Sequence, residues 1–362
     1  MKDSHSNKIL ILGGYGKAGK EIAELMAADD DFLITTAGRS AKKANRHLKE
    51  LKSRHPKGKF NAKVIDISNE ELLIEQIGEI DLVIVATPLD YKSTENLIKA
   101  VLQSEKANYL DLSPSSEKHK AFEDNRNKIG SSEHTFVLDA GFDPGLPGIL
   151  GRLATVQSDA TKSIEIAAFY RDSDIPEAGI SDILNHTQKS KIYKDYVWVN
   201  APFWKMKFIR FPMNFGKVFC KPIMTDEIKS ISQRYDLDNI IFYHGGINAV
   251  SNIIMILWQS ILSYLLPEKA GISLFKWAIN NYTRRPYGGC IIASSKRLKS
   301  NALISVGHEN LYKATAIPVV ATAYQILSDI KNKSQDYYLM SEFVEMGLFV
   351  NNMKKLGLEI KL

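Results

Sequence analysis

The chain has 362 residues, a length that suits about two domains. Hydrophobic residues make up 44% and charged residues 24%, which excludes a disordered, collagenous or coiled-coil chain as the main theme. Lys plus Arg number 47 against 41 acidic residues, and +6 spread over this length is weak evidence for nucleic acid but suits an anionic ligand.

Residues 1–8 are polar and too short to serve as a signal peptide. Short apolar runs at 9–12, 32–34, 62–65, 82–85, 109–110 and 136–138 then predict six strands. Amphipathic stretches at 17–28, 42–52, 70–77, 91–103 and 117–128 supply helices between them; in the first, Ile22, Leu25 and Met26 share one face. Strand and helix alternating in this way demand a parallel sheet covered on both faces and wound right-handed. The expected fold class is α/β, with a doubly wound parallel sheet over residues 1–150.

Beyond residue 160 the texture changes. Runs at 163–170, 196–199, 239–243, 289–293 and 302–306 are rich in β-branched and aromatic residues, and the polar connection 294–301 suggests a hairpin. They predict an inserted α+β domain over 151–307, built on a mainly antiparallel sheet. The longest apolar stretch, 253–266, is interrupted by Gln259, Ser260 and Ser263. A membrane span needs about twenty apolar residues, so a buried helix is expected there and no stable membrane insertion. Pro318 suits the first turn of a helix that packs through Val319, Val320, Ala323, Tyr324 and Leu327.

The chemistry begins directly after the first strand. Gly14, Gly16 and Gly19 make the GxGxxG spacing, with Tyr15, Lys17 and Ala18 between them. Such a turn lets a diphosphate sit on the free N–H groups of a helix start, where the helix dipole favours negative charge. An NAD site places an acid about twenty residues on, to hold the ribose 2′-hydroxyl. Here Gly38, Arg39 and Ser40 stand instead, followed by Lys42 and Lys43. A guanidinium and a hydroxyl suit a 2′-phosphate, so NADP is expected over NAD. Asp66, with Ile67 behind it, either reaches the adenine amino group or caps the next helix, a task for which Ser68 is the alternative. Ala86, Thr87 and Pro88 follow the fourth strand, at the sheet edge where nicotinamide and its ribose lie in such folds.

The segments GGYGKAG, AGRS, ATP, YLDLS and above all GFDPGLPG (141–148) resemble the saccharopine dehydrogenase family, which includes saccharopine reductases, carboxynorspermidine dehydrogenases and lysine dehydrogenases. The segment TAIPVVATAYQIL near the end resembles the closing part of these proteins. The resemblance implies a discontinuous Rossmann domain, to which about 308–330 returns, and an inserted domain for substrate binding and dimerisation. It implies hydride transfer between NADP and a C–N bond of an amino acid or an amine–carbonyl adduct, in a cytoplasmic homodimer of amino-acid metabolism.

Within that frame Asp111 ends the fifth strand and is the candidate to hold a substrate ammonium, or else caps its loop with Ser113. The backbone of Gly141 and Phe142 is placed against the nicotinamide, while Asp143 suits a local turn. His244 is the candidate general acid, the structural alternative being a hydrogen-bonded histidine. The alternation of aromatics and cations over 203–211 reads as a basic edge of the second domain, with membrane-surface and nucleic-acid strips as rivals. Two cysteines, Cys220 and Cys290, build no disulfide framework and fit a reducing compartment. The eight histidines are dispersed and no metal site is expected. Two further readings compete: a non-catalytic NADPH-binding sensor, and a membrane-associated reductase using 253–266 as its contact surface.

Overall fold

A computed structural model describes residues 6–156, 163–186, 190–295, 303–328 and 336–362. It divides the chain into two compact units, the first comprising 1–145 with 315–357, the second 146–314 with 358–362. The returning segment therefore runs on to residue 357, well past 330.

In the first unit the strands are β1 (Asn7–Leu12), β2 (Phe32–Gly38), β3 (Lys59–Val64), β4 (Leu82–Val85), β5 (Asn108–Asp111) and β6 (Phe136–Leu138). In the second they are β7 (Ser163–Arg171), β8 (Lys191–Lys194), β9 (Val197–Asn200), β10 (Lys207–Phe211), β11 (Gly216–Ile223), β12 (Asn239–Gly245), β13 (Gly288–Ser295) and β14 (Leu303–His308). A last short strand, β15 (Tyr338–Leu339), returns to the first sheet.

That first sheet has the order β15-β6-β5-β4-β1-β2-β3 and every pairing in it is parallel. Its central strands are apolar without alternation because helices cover both faces: Ile9 to Leu12 and Leu82 to Val85 are all at most 1% exposed. The helix Lys17–Met26 packs through Gly19, Ile22, Ala23 and Met26, the i, i+3, i+4, i+7 stripe. Strand order reverses between β1 and β4, so their carboxyl ends open the crevice where doubly wound sheets take ligands. On the other wing, the rings of Tyr109, Phe122 and Phe136 pack mutually at 5.3–5.8 Å and seat the helix Ser116–Asp124 over β5 and β6.

The second sheet has the order β10-β11-β12-β7-β13-β14, with the hairpin β8–β9 attached to β12. Only the central pair β7 and β12 runs parallel among these pairings, so the sheet is mainly antiparallel. Asp195 and Tyr196 join β8 to β9 with φ of 50° and 66°, the left-handed two-residue turn that matches strand twist. β13 and β14 pair as expected, but residues 296–301 of their connection lie outside the described residues. The strip 203–211 ends in edge strand β10, where Ile209 and Phe211 are buried while Phe208 and Arg210 face solvent, the period of two of a half-buried strand.

The stretch 253–266 corrects its expectation. It is divided among the helix Ala249–Leu257, a π turn at Trp258–Leu262 and the short Ser263–Leu265. Met255 and Trp258 are buried against Phe275 and Ile279, but Ile253, Ile261, Tyr264 and Leu265 are each more than half exposed. Among the described residues, the buried side of the stretch is the one that packs within the unit. No helix among the described residues is long and apolar enough to cross a membrane.

Candidate functional site

The nucleotide loop leaves β1 at Gly13. Gly13 has φ +79°, and a Cβ there would lie 2.6 Å from the Ala86 carbonyl oxygen, so the turn is pressed against the end of β4. The left-handed residue is thus Gly13, one place before the GxGxxG spacing that Gly14 opens. Gly14 is itself held tight, since a Cβ would meet the Thr36 side chain at 2.8 Å, and a Cβ on Gly19 would strike the Gly13 carbonyl. The helix then starts at Gly16 with no side-chain cap, leaving its first-turn N–H groups to a ligand or water.

Tyr15 crosses to the end of β2. Its hydroxyl accepts a hydrogen bond from the Ser40 N–H at 2.7 Å, and its ring lies where a Cβ on Gly38 would be. Ser40 caps the helix Ala41–Arg54 by accepting from the Lys43 N–H. Arg39 is exposed beside it, with Lys42 and Lys43 following. Asp66 sits close enough to feel Arg39, yet its carboxylate accepts from the Ser68 N–H and hydroxyl, bonds that hold its pKa below the usual range. The cap of the next helix is Asn69, which accepts from the Leu72 N–H, so neither Asp66 nor Ser68 does that job. Ile67 is half-buried behind it. Ala86 and Thr87 are half-buried at the crevice and Pro88 is exposed, while Asp90 caps the helix Tyr91–Gln103. Tyr91 turns its hydroxyl to Asp124 at 2.8 Å.

The sheet edge after β5 and β6 holds a buried ionic network. Lys118 donates to Asp111 Oδ1 at 2.6 Å, to Asp139 Oδ1 at 2.7 Å and to the Ser113 carbonyl at 2.6 Å, which uses all three of its protons. Asp111 also accepts from the Tyr109 hydroxyl at 2.9 Å and the Asp139 N–H at 3.1 Å. His119 meets the other Asp139 oxygen at 2.9 Å. Burial pushes Asp111 up; burial acts likewise on Asp139, but Lys118 and His119 outweigh it and hold that carboxyl well below the usual range. Burial also opposes the Lys118 charge, and the two carboxylates overcome it, raising its pKa. Asp111 has no exposed surface. The expectation that it holds a substrate ammonium is corrected: the ammonium it holds belongs to Lys118.

The turn at 141–145 closes on itself. The Gly141 N–H donates to the Pro144 carbonyl at 3.0 Å, and Gly145 has φ +124°, with Asp139 and Gly141 oxygens 2.6 and 2.7 Å from where a Cβ would be. Phe142 is 2% exposed, so its ring belongs to the core and leaves only backbone for a ligand.

In the second unit a small cavity opens between the sheet and the helices Glu177–His186, Ala249–Leu257 and Glu268–Tyr282. His244 of β12 and Lys221 of β11 line it and face each other across the strand pair. The Tyr170 ring packs edge-on against His244 at 5.3 Å. Burial lowers the Lys221 pKa to about 8. Among the described residues no group of three or more His, Cys, Asp or Glu is arranged to hold a metal ion. Cys220 and Cys290 are both buried and free, and burial pushes each thiol up to about 12.

Residues 9–132 match the saccharopine dehydrogenase NADP binding domain. The match is confined to residues 9–132, well under half of the 362-residue chain. Carboxynorspermidine synthase of Vibrio cholerae serotype O1 is 28% identical over 262 residues, which cover 64% of this chain and 61% of that protein. The chain thus aligns with less than two thirds of its curated relative. The apo, histidine-tagged saccharopine dehydrogenase (L-Glu forming) of Saccharomyces cerevisiae superimposes with a TM-score of 0.69, over 98% of this chain and 99% of that one. At 14% identity that likeness concerns the fold.

The saccharopine dehydrogenase match spans the loop 13–19, Gly38 to Ser40, Asp66, Ile67, Ala86 to Pro88 and Asp111, and ends before Gly141. NADP is the cofactor of this domain, and the residues present fit it. The glycine cradle is tight enough to exclude any Cβ, the helix start is uncapped, and the ribose end of β2 carries a guanidinium where an NAD site carries an acid. What sequence reading missed in this chain is Lys118. Its signal is periodicity: Lys118, Ala121 and Phe122 share the buried face of one helix, which places a cation where an apolar residue is expected.

Proposed function

We propose that this protein is an NADP-dependent oxidoreductase acting on the C–N bond of an amino acid or an amine–carbonyl adduct. The observation that carries the reading is the cradle at Gly13, Gly14 and Gly19 with Arg39 and Ser40 at the ribose end, inside the matched NADP binding domain. The 28% identity to carboxynorspermidine synthase supports the C–N class. When bound, NADP supplies or accepts the hydride. The chain holds the diphosphate on the N–H groups of Ala18 and Gly19 at the helix start, and Arg39 pairs with the 2′-phosphate. Ala86, Thr87 and the Gly141 backbone border the nicotinamide. Lys118 locks Asp111 and Asp139 and so fixes the loops after β5 and β6 that form the floor of the crevice. In the oxidative direction the amine carbon gives up hydride, its nitrogen gives up a proton, and an imine results; the reverse consumes both. His244 is the candidate to carry that proton. A cytoplasmic homodimer completes the reading, and sedimentation velocity checks the dimer.

Absorbance at 340 nm tests it. Purified protein with NADP⁺ is offered amino acids and polyamines, and with NADPH it is offered semialdehydes plus amines. Cofactor-dependent change in a well supports the reading and names the substrate. Silence across both arms, with NADPH bound tightly, favours the sensor instead.

A further inference from the structure

We infer that the second unit rests on the surface of an anionic lipid bilayer, through the apolar outer side of the stretch 253–266 and of the helix Glu268–Tyr282. From Ala249 to Pro267 the chain carries no charged residue, although a helix with one side in water ordinarily places its charges there. The inward stripe is Ser251, Met255 and Trp258, the i, i+4, i+7 spacing. The outward one is Ile253, Leu257, Ile261 and Tyr264, continued by Leu265. Tyr264 is 83% and Leu265 71% exposed. On the neighbouring helix Trp277 and Tyr282, whose rings meet edge to face at 5.4 Å, are about half exposed. Trp and Tyr beside aliphatic residues suit headgroup level, where the ring leaves water and its polar atom stays hydrated. With no helix among the described residues able to cross a membrane, the contact lies along the surface.

Charge selects the occupant. The one acidic residue between Ala249 and Tyr282 is Glu268, and it accepts from the Ser181 hydroxyl. Lys276 pairs with Glu177, while Lys269 at the start of its helix and Arg284 and Arg285 just past the end are exposed. The strand pair β10–β11 adds cations beside the helices. Met206 and Phe219 line one cavity with Ile256, and Phe208 lies opposite Phe219 as Arg210 does opposite Lys217, so these residues share one face of the sheet. Phe208, Arg210 and Lys217 are exposed on that face, and Val197 to Ile223 contains no acidic residue. A second copy of the chain docked symmetrically here would bring two cationic rims together. A phosphate-bearing bilayer surface answers both features: it takes the apolar side chains out of water and draws Lys and Arg to its headgroups. The inference needs neither nucleotide nor turnover, so it stands apart from the redox reading.

Co-sedimentation of the full chain with vesicles tests it, comparing phosphatidylcholine alone with phosphatidylcholine carrying about 30% phosphatidylglycerol. The mixed vesicles are expected to bind about tenfold more tightly, and that binding to weaken about tenfold between about 0.05 and 0.3 M salt. Tyr264→Ser with Leu265→Ser is expected to lose about tenfold on the mixed vesicles. Arg284→Gln with Arg285→Gln is expected to lose about fivefold there and nothing on neutral ones. All four side chains are exposed, and an unchanged thermal midpoint certifies that the variants are folded. Protein left in the supernatant of the mixed vesicles overturns the inference, as does equal binding to neutral ones or binding that Tyr264→Ser with Leu265→Ser leaves unchanged. Self-association that the same pair abolishes, read by sedimentation velocity, would also overturn it, because the occupant would then be a second copy. Vesicle binding by a protein silent at 340 nm would leave this surface standing without the redox reading; turnover without vesicle binding would do the reverse.

Discussion

Lys118 and Lys221 both leave bulk water, one in each unit, and their surroundings are opposite. Lys118 is enclosed by Asp111, Asp139 and the Ser113 carbonyl, each within 2.7 Å, and its pKa rises. Lys221 faces a cavity walled mainly by hydrocarbon, and its pKa falls to about 8. The first lysine spends its protons on the fold, joining the ends of β5 and β6 to the helix above them. For the second, burial is the cause of the lowered pKa. Burial alone therefore does not set a buried lysine's pKa; the carboxylates around Lys118 reverse what burial does.

The contrast breaks most visibly under one substitution made twice. Lys118→Met leaves two buried carboxylates without their cation and is expected to cost about 3–5 kcal/mol of stability, read by urea unfolding. Lys221→Met relieves the burial that lowers that lysine's pKa and is expected to cost less. Equal losses at both positions would remove the distinction.

Gly13→Ala sharpens the separation of the two regions. Alanine at φ +79°, against the Ala86 carbonyl, is expected to weaken NADPH about 100-fold by fluorescence titration. A smaller effect is expected from Asp111→Asn. It removes one of the two carboxylates that share Lys118 and keeps Asp139 paired, so about 1–2 kcal/mol of stability is lost, less than in Lys118→Met.

The smallest effect concerns pH. The folded pKa of Lys221 lies below its ordinary value of 10.5, so the fold carries a cost below about pH 8, where both states are protonated. Between about 8 and 10.5 the folded chain has shed the proton and the unfolded chain has not, and the cost is relieved as pH rises. Lys221→Met is therefore expected to raise the melting temperature by about 1–3 °C at pH 7, and the gain should vanish near pH 10.5. A gain that persists unchanged at high pH would contradict the assigned charge.

Much of the first unit was legible because parallel strands covered on both faces are continuous apolar runs, as at Ile9 to Leu12 and Leu82 to Val85. The two-residue β15 carries no such run and could not be read. β10 and β11 were hidden because aromatics and cations alternate along them and Gly216 and Pro222 interrupt the pattern. In the nucleotide loop the glycine spacing was readable, since the close backbone approaches at Gly14 and Gly19 leave no room for a Cβ. The left-handed position was not, because Gly13 and Gly14 are adjacent and spacing alone does not say which one turns. Asp111 was found for the wrong reason: a carboxylate at a strand end reads the same whether its cation comes from a ligand or from Lys118. The burial of Lys221, between Cys220 and Pro222, shows no signal in sequence, since it depends on how β11 pairs with β12.

The central claim is that the nucleotide unit selects NADP through Arg39. The direct measurement is the ratio of NADH to NADPH dissociation constants in the parent protein and in Arg39→Ala, by fluorescence titration at fixed ionic strength. The account predicts NADPH bound at least tenfold more tightly by the parent. Arg39→Ala should lose about 10- to 100-fold for NADPH, with NADH nearly unchanged. Equal affinities in the parent, or a ratio that Arg39→Ala leaves where it was, would contradict it.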